Sequence, residues 1–240
     1  VDLNLGCPVP KVVNNGCGAA LLKDPDQVAR ILDAMVPAVK VPVTIKMRTG
    51  FDAGDNEKFL QVARLAGEHG AGAITAHGRT QKQGYTGFSN LEAIRAVKEA
   101  ATIPGIGNGD IRSGRDAERM FRVTGCDGVM LARGALGNPW IYREVADYLS
   151  TGTVPPSPTT AEKADVLREH FAHLREIYGD SQALLHVRRV IHWFVKGAAN
   201  AASLRQRGNA VTSPGEVETI AREFAQSQRM DESVSEPAEV

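Results

Sequence analysis

From residue 1 to about residue 150, short apolar runs alternate with amphipathic segments, and each run ends on a polar or charged group. The runs Val1–Leu5, Val43–Met47, Ala73–Ala76, Pro104–Gly107 and Gly128–Leu131 predict strands. Between them the spacing predicts helices. Asp26–Val36 places Val28, Ile31, Leu32 and Met35 on one face, and Asn56–His69 does the same with Phe59, Leu60, Val62, Ala63 and Ala66. Asn90–Ala101 and Arg115–Val123 repeat the pattern. Strand–helix alternation of this kind is the signature of a parallel α/β fold.

An open doubly wound sheet and a closed barrel both fit the alternation. The strand ends decide between them. They read Asn4, Gly6 and Cys7; Lys46 and Arg48; His77 and Arg79; Asn108 and Asp110; and Arg133. A barrel gathers working residues from the C-terminal ends of several strands. A doubly wound sheet concentrates them at one switch point. The expected fold is therefore an α/β (β/α)₈ TIM barrel with about five βα units present, followed by a small all-α domain. The chain opens on Val-Asp-Leu-Asn-Leu rather than on Met, as if a strand were already in progress. That predicts a chain cut inside a longer protein, with the first three strands before residue 1.

Thr151-Gly-Thr-Val-Pro-Pro-Ser-Pro-Thr159 reads as a linker between a barrel portion, 1–150, and a helical domain, 160–228. In the latter, Ala161–Tyr178 predicts a helix ended by Gly179. Gln182–Lys196 predicts another, with Leu184, Val187, Ile191, Phe194 and Val195 on one face. Ser213-Pro-Gly-Glu216 opens a last helix to about Gln226 with a capping box and Pro at N1. The tail, 229–240, is acidic from Asp231 on and is expected to be disordered.

The chain carries 28 basic and 28 acidic residues, so it is no general polyanion binder, and any nucleic-acid contact must come from a local patch. Three cysteines make no disulfide framework, which fits a reducing cytoplasm. No apolar run approaches the roughly 18 residues of a membrane span. Cys7 and Cys17 are too far apart for a zinc knuckle, so no metal is expected.

Cys7 stands out among the reactive groups. Gly6 permits a sharp exit from the strand and Pro8 stops the ladder, so the thiol is presented at the barrel mouth. It can donate a proton or attack as a nucleophile. Cys17 and Cys126 lack that setting and read as buried structural thiols. Lys46, between Ile45 and Met47 in an interior strand, needs an anionic or polar partner; Asp2, Asp110 or a ligand can supply it. His77 can donate to a cofactor oxygen or nitrogen, while Arg79 is free to point outward. Gly105-Ile-Gly-Asn-Gly-Asp110 and Ala132-Arg-Gly-Ala-Leu-Gly137 form two glycine-rich loops where barrels hold phosphate. Asp110 suits a ribityl hydroxyl better than the phosphate.

These motifs resemble the dihydrouridine synthase family, most closely its bacterial B-type branch. The resemblance rests on Asn4-Leu-Gly-Cys-Pro8, Val43-Thr-Ile-Lys-Met-Arg-Thr-Gly50, His77-Gly-Arg-Thr80, Gly107-Asn-Gly-Asp-Ile111, Leu131-Ala-Arg-Gly134 and Pro139-Trp140. Arg188-Arg-Val-Ile-His-Trp193 is similar to the family's helical domain. The resemblance implies a flavoprotein oxidoreductase in which FMN, reduced by NADPH, saturates the C5–C6 bond of uridine in tRNA. Hydride goes to C6, and Cys7 protonates C5. It further implies that Lys46 and His77 contact the FMN ring, and that Asn108, Gly109, Asp110, Ala132 and Arg133 hold the ribityl-phosphate. Asn4 and Arg79 would lie near the uridine. Ala132 departs from the family's usual glycine but keeps the backbone N–H.

From Ser181 to Val211 there is no acidic residue, while Arg188, Arg189, Lys196, Arg205 and Arg207 are basic. Arg188, His192 and Lys196 fall four apart, a stripe that can track tRNA phosphates. Trp193 reads as core. The expected protein is a cytoplasmic monomer with tRNA as partner. Two other readings compete: an FMN barrel acting on a free pyrimidine or dihydroorotate-like molecule, and a non-catalytic RNA-binding fragment that binds flavin weakly and is inactive alone.

Overall fold

A computed structural model describes residues 1–227 apart from 53, 55 and 56. The expected disordered tail and Asn56, the first residue of one predicted helix, lie outside the described residues. Five strands form one parallel sheet: β1 (Asp2–Leu5), β2 (Thr44–Arg48), β3 (Ala73–His77), β4 (Gly105–Asn108) and β5 (Gly128–Met130). Their order in space is their order in the chain. The order never reverses, so there is no switch point of the doubly wound kind. These are consecutive βα units of a partial TIM barrel.

The register explains how the site is assembled. Arg48 lies opposite His77, His77 opposite Asn108, and Asn108 opposite Met130. One row of side chains thus crosses four strands at their C-terminal ends, all facing the same side. Two residues back along β2, Lys46 lies opposite Asn4 of β1. The alternate residues Ile45, Met47 and Ile74 are fully buried. The strands β2, β3 and β4 each run one residue past the predicted end. A polar last residue is tolerated there because it faces the cavity rather than the packed side.

The helices of this first unit are α1 (Pro10–Val13), α2 (Pro25–Ala38), α3 (Lys58–Glu68), α4 (Leu91–Ala100) and α5 (Gly114–Thr124). Their starts are set by local chemistry. Asp24, Asn90 and Ser113 each accept a backbone N–H of the first turn of α2, α4 and α5. Leu32 of α2, Phe59 and Val62 of α3, Ile94 of α4 and Met120 of α5 bury against the sheet side of the unit. Each full burial of such a side chain contributes about 1.5–3 kcal/mol. The sequence reading missed α1 and the 3₁₀ turn Gly18–Lys23, which are too short to show a period.

The helix α6 (Ile141–Thr151) lies mostly in the first unit, and the second unit is helical: α7 (Thr160–Phe194), α8 (Ala201–Asn209) and α9 (Pro214–Ala225). Gly179 breaks α7 with φ 73° and ψ 165°, so the run is two helices, as its glycine predicts. The second piece ends at Phe194, short of the predicted Lys196. Thr159 and Glu162 form a reciprocal capping box at the start of α7, and Ser213 caps α9. Leu167, Phe171, Val187, Ile191, Leu204, Ile220 and Phe224 share one core, and Trp193 is partly buried against it. The helices α6 and α8 were also missed. The stretch Ala201-Ala-Ser-Leu-Arg-Gln-Arg has one strong apolar anchor, Leu204, and so no amphipathic period.

The chain divides into two compact units, Val1–Gly134 with Glu144–Thr153, and Ala135–Arg143 with the chain from Val154 on. Ala135–Arg143 joins the helical unit through close packing. A β-carbon on Gly137 would lie 2.4 Å from the Trp193 carbonyl oxygen, and Trp140 packs on the helical core. No helix among the described residues is long and apolar enough to cross a membrane. Among the same residues no cluster of His, Cys, Asp and Glu is arranged to hold a metal ion.

Candidate active site

A cavity of about 380 Å³ opens at the C-terminal ends of the strands in the first unit. That lies within the size range of small-molecule and cofactor sites. All five strands or the loops after them contribute to its wall.

The loop after β1 brings Cys7. Asn4 Oδ1 accepts the backbone N–H groups of both Gly6 and Cys7 at 3.0 Å, so this side chain turns the chain and presents the thiol. The Asn4 amide nitrogen has no partner among the described residues and stays available to a ligand. Cys7 is half-buried and lines the cavity. Its carbonyl accepts Ala19 N–H at 3.1 Å, which anchors the backbone beneath it. Cys126 is buried as expected, whereas Cys17 is exposed. The reading of Cys17 as a buried thiol is corrected: it stands exposed just before the 3₁₀ turn, and its Sγ lies 3.5 Å from the Asn15 carbonyl oxygen.

Lys46 and Arg48 come from β2, two residues apart and on one face. Lys46 makes no hydrogen bond or ion pair among the described residues. Burial lowers its pKa, and the neighbouring Arg48 charge adds to that, against a weaker pull from Asp2. Neither expected acid serves it. The Asp2 carboxylate accepts the Thr44 hydroxyl at 2.7 Å, and that of Asp110 is held elsewhere. Lys46 is therefore a desolvated cation on the cavity wall with no ion-pair partner among the described residues.

Arg48, which the sequence reading did not single out as a site residue, is 2% exposed and lines the same cavity. It donates to the carbonyls of Gly6 at 2.9 Å, Thr80 at 2.8 Å and Gly84 at 2.7 Å. It thereby ties the Cys7 loop to the loop after β3. Tyr85 was also missed. Its ring lines the cavity, with the guanidinium carbon of Arg48 at 5.5 Å and that of Arg133 at 5.0 Å. The i, i+2 spacing of Lys46 and Arg48 was a usable signal for Arg48. Tyr85 sits in an irregular loop and had none.

His77 ends β3 and is buried at the cavity wall. Burial, followed by the charges of Arg48, Lys46 and Arg79, depresses its pKa to about 3, so it is neutral near pH 7. Arg79 requires a correction. Far from pointing outward, it is 2% exposed, and the cavity wall does not include it. It donates to the Thr86 carbonyl at 3.2 Å, to the Gly87 carbonyl at 2.6 Å, and to both oxygens of Asp110 at 3.0 and 2.7 Å. A buried guanidinium needs such partners, and the loop after β3 wraps around it to supply them.

Asp110 is correspondingly a hub rather than a free acceptor. Besides Arg79 it accepts Ser89 N–H at 2.8 Å and Arg133 at 3.2 Å. Burial raises its pKa, but the Arg79 and Ser89 hydrogen bonds and the two guanidinium charges outweigh that, and the net shift is downward. With these donors on both oxygens, the carboxylate has little capacity left for the ribityl hydroxyl expected of it. The backbone here is left-handed twice in succession, Gly109 at φ 126° and Asp110 at φ 54°. A β-carbon on Gly109 would fall 2.3 Å from Ser89 Oγ, so only glycine fits. The Asn108 side chain donates to the Met130 carbonyl at 2.8 Å, joining β4 to β5. Ala132 and Arg133, after β5, complete the wall.

The remaining expected residues, Arg188 and Lys196, lie in the helical unit, and the continuous stripe is corrected. Arg188 is partly buried and donates to the Val211 carbonyl at 3.0 Å. His192 Nε2 lies 2.8 Å from Asn209 Oδ1. Lys196 is exposed but sits beyond the end of α7, so helical spacing no longer aligns it. Arg207 pairs with Glu223, while Arg189 is exposed.

A family model described as dihydrouridine synthase matches residues 1–230. The chain is 42% identical over 224 residues to the tRNA-dihydrouridine synthase B of Xanthomonas campestris, covering 93% of this chain and 67% of the relative. It is 41% identical over 225 residues to a probable tRNA-dihydrouridine synthase of Rickettsia conorii, again 93% and 67%. For the tRNA-dihydrouridine synthase B of Pseudomonas aeruginosa the figures are 42% over 209 residues, 87% and 63%. The chain thus spans about two thirds of the length of these relatives. With the match running through every strand end that builds the cavity, this chain belongs to the dihydrouridine synthase family.

Proposed function

We propose that this protein takes part in the flavin-dependent reduction of uridine to 5,6-dihydrouridine in tRNA, with Cys7 as the proton donor. One observation carries the reading. A half-buried thiol and an unpaired, desolvated ammonium, Lys46, open into one cavity beside a neutral imidazole. The site also fits the cofactor. It has the volume of a cofactor pocket, a cation with no protein partner, and a glycine, Gly109, where a β-carbon would clash.

FMN, when bound and reduced by NADPH, supplies the hydride that reaches uridine C6. The chain's own residues do the rest. Lys46 gives a positive charge to a carbonyl-rich ring, and His77 a neutral polar edge. The backbone at Gly109 and Ala132, with Arg133 half-exposed beside them, receives the phosphate. Cys7 gives its proton to C5 as hydride arrives at C6, so the C5–C6 double bond is saturated and a thiolate remains. The Arg48 guanidinium is close enough to Cys7 to feel its charge and sits where it can stabilise that thiolate. The amide of Asn4 faces the same space and suits a uracil carbonyl.

The uridine must leave its stack to reach such a site. Arg189 and Lys196 of the helical unit are the exposed cations for tRNA phosphates, while Arg188 organises the loop at Val211. The protein works as a cytoplasmic monomer in this reading. The test is incubation with FMN, NADPH and tRNA lacking dihydrouridine, followed by digestion and mass spectrometry. Flavin-loaded protein that yields no nucleoside two hydrogens heavier would sink the reading.

A further inference from the structure

We infer that Arg79 is a positioning residue that holds His77 as a neutral imidazole with its proton on Nδ1, so that the cavity meets an N–H donor there. A guanidinium has five N–H donors and no acceptor. Arg79 Nη1 lies 3.3 Å from His77 Nε2, so Nε2 must present its lone pair. A neutral imidazole that accepts at Nε2 carries its proton on Nδ1.

Arg79 cannot swing away to allow the other tautomer. Its Nε and Nη2 N–H groups are held by the Thr86 and Gly87 carbonyls and by both oxygens of Asp110. Gly109 closes the same edge of the ring, since a β-carbon there would lie 3.0 Å from His77 Cδ2. Nδ1 has no partner among the described residues, and His77 is part of the cavity wall. The charged groups that face His77 are Arg48 and Lys46 from β2, Arg79 from the loop after β3, and Asp110 from the loop after β4. Three cations against one anion, already paired to Arg79, oppose a second proton on the ring.

A ligand ring must therefore bring an acceptor, a carbonyl oxygen or an unprotonated ring nitrogen, to Nδ1. His77 also cannot act as an imidazolium acid near neutral pH, which removes it as a rival to Cys7 for proton donation. That last step rests on the proposed reaction, whereas the tautomer does not.

The test reads the imidazole nitrogens directly, without substrate or flavin. In ¹⁵N-labelled full chain, a two-bond ¹H–¹⁵N spectrum distinguishes the two tautomers, and His77→Asn identifies the His77 signals. The expected pattern is Nδ1 protonated and Nε2 bare, unchanged from about pH 8 to about pH 5, since the midpoint lies at about 3. A reversed pattern, or titration near the ordinary value of about 6.5, would overturn the inference. In Arg79→Lys the tautomers should mix and the midpoint should move up toward 6.5 while staying below it, because burial remains. A folded Arg79→Lys that keeps the original tautomer and midpoint would also overturn it. Asp110→Asn, which loosens Arg79 without removing it, should mix the tautomers in the same way, while the loss of the one carboxylate that favours a second proton keeps the midpoint low. If neither variant folds, the parent spectrum decides alone, because an Nε2–H cannot face a guanidinium.

Discussion

Arg48 Nε donates to the carbonyl oxygen of Gly6 at 2.9 Å, immediately before Cys7 in the chain. The same guanidinium holds Thr80 and Gly84, so a single buried side chain joins the thiol-bearing loop to the loop after β3. Arg48→Met leaves three carbonyls without their donor. The expected loss is about 3 kcal/mol of stability, read by urea denaturation. Arg48→Lys keeps the charge but cannot span all three carbonyls, so it should recover only part of that loss.

Cys7→Ala should separate structure from chemistry. The Cys7 side chain makes no hydrogen bond among the described residues, and the backbone bond from Ala19 survives the change. Stability and flavin affinity should therefore stay close to the parent, while dihydrouridine formation falls by about 10²- to 10⁴-fold. Full turnover by this variant would remove Cys7 from the mechanism.

Lys46→Met should raise the stability of the ligand-free protein by roughly 1 kcal/mol, because a desolvated, unpaired cation is replaced by an apolar chain of similar length. Flavin affinity should fall in the same variant by about tenfold or more. Thermal melts with and without FMN measure both. A Lys46 that stabilised the empty protein would contradict the absence of any protein partner.

His77 should make the first unit acid-sensitive. Its folded pKa, about 3, lies below its ordinary value, so the unfolded chain takes up a proton that the folded chain refuses. Stability from this group is fully present above about pH 6.5 and is lost as pH falls toward 3. The ceiling is on the order of 5 kcal/mol. Unfolding measured from pH 7 to pH 4 should show a shallower loss in His77→Asn.

In the helical unit, Arg189 and Lys196 should act on RNA alone. Both are exposed, so Arg189→Ala with Lys196→Ala should weaken tRNA binding about three- to tenfold, reduce its salt dependence, and leave the melting temperature unchanged. Arg188→Ala should instead lower the melting temperature, because its bond to the Val211 carbonyl is lost. Filter binding at several salt concentrations and thermal melts distinguish the two effects.

The sequence alone determined the alternation of strands and helices, the barrel rather than the doubly wound sheet, the break at Gly179, and most of the groups at the strand ends. These follow from local rules. Apolar spacing reports which face is buried, glycine reports where a turn needs left-handed backbone, and a cysteine between glycine and proline reports a strand exit. Tertiary structure alone decided what each charged group does. Arg79 and Asp110 are 31 residues apart, and nothing in their local spacing shows that they saturate each other. The same contact converted an outward arginine into a buried brace and a free carboxylate into a hub. It also left Lys46 without an ion-pair partner among the described residues. Partners for a buried charge come from whichever loops the fold brings within hydrogen-bond reach, and that reach is set by strand register rather than by sequence distance. Cys7 was legible because its setting is local, whereas the bond by which Arg48 holds the carbonyl before it, from 42 residues away, was not.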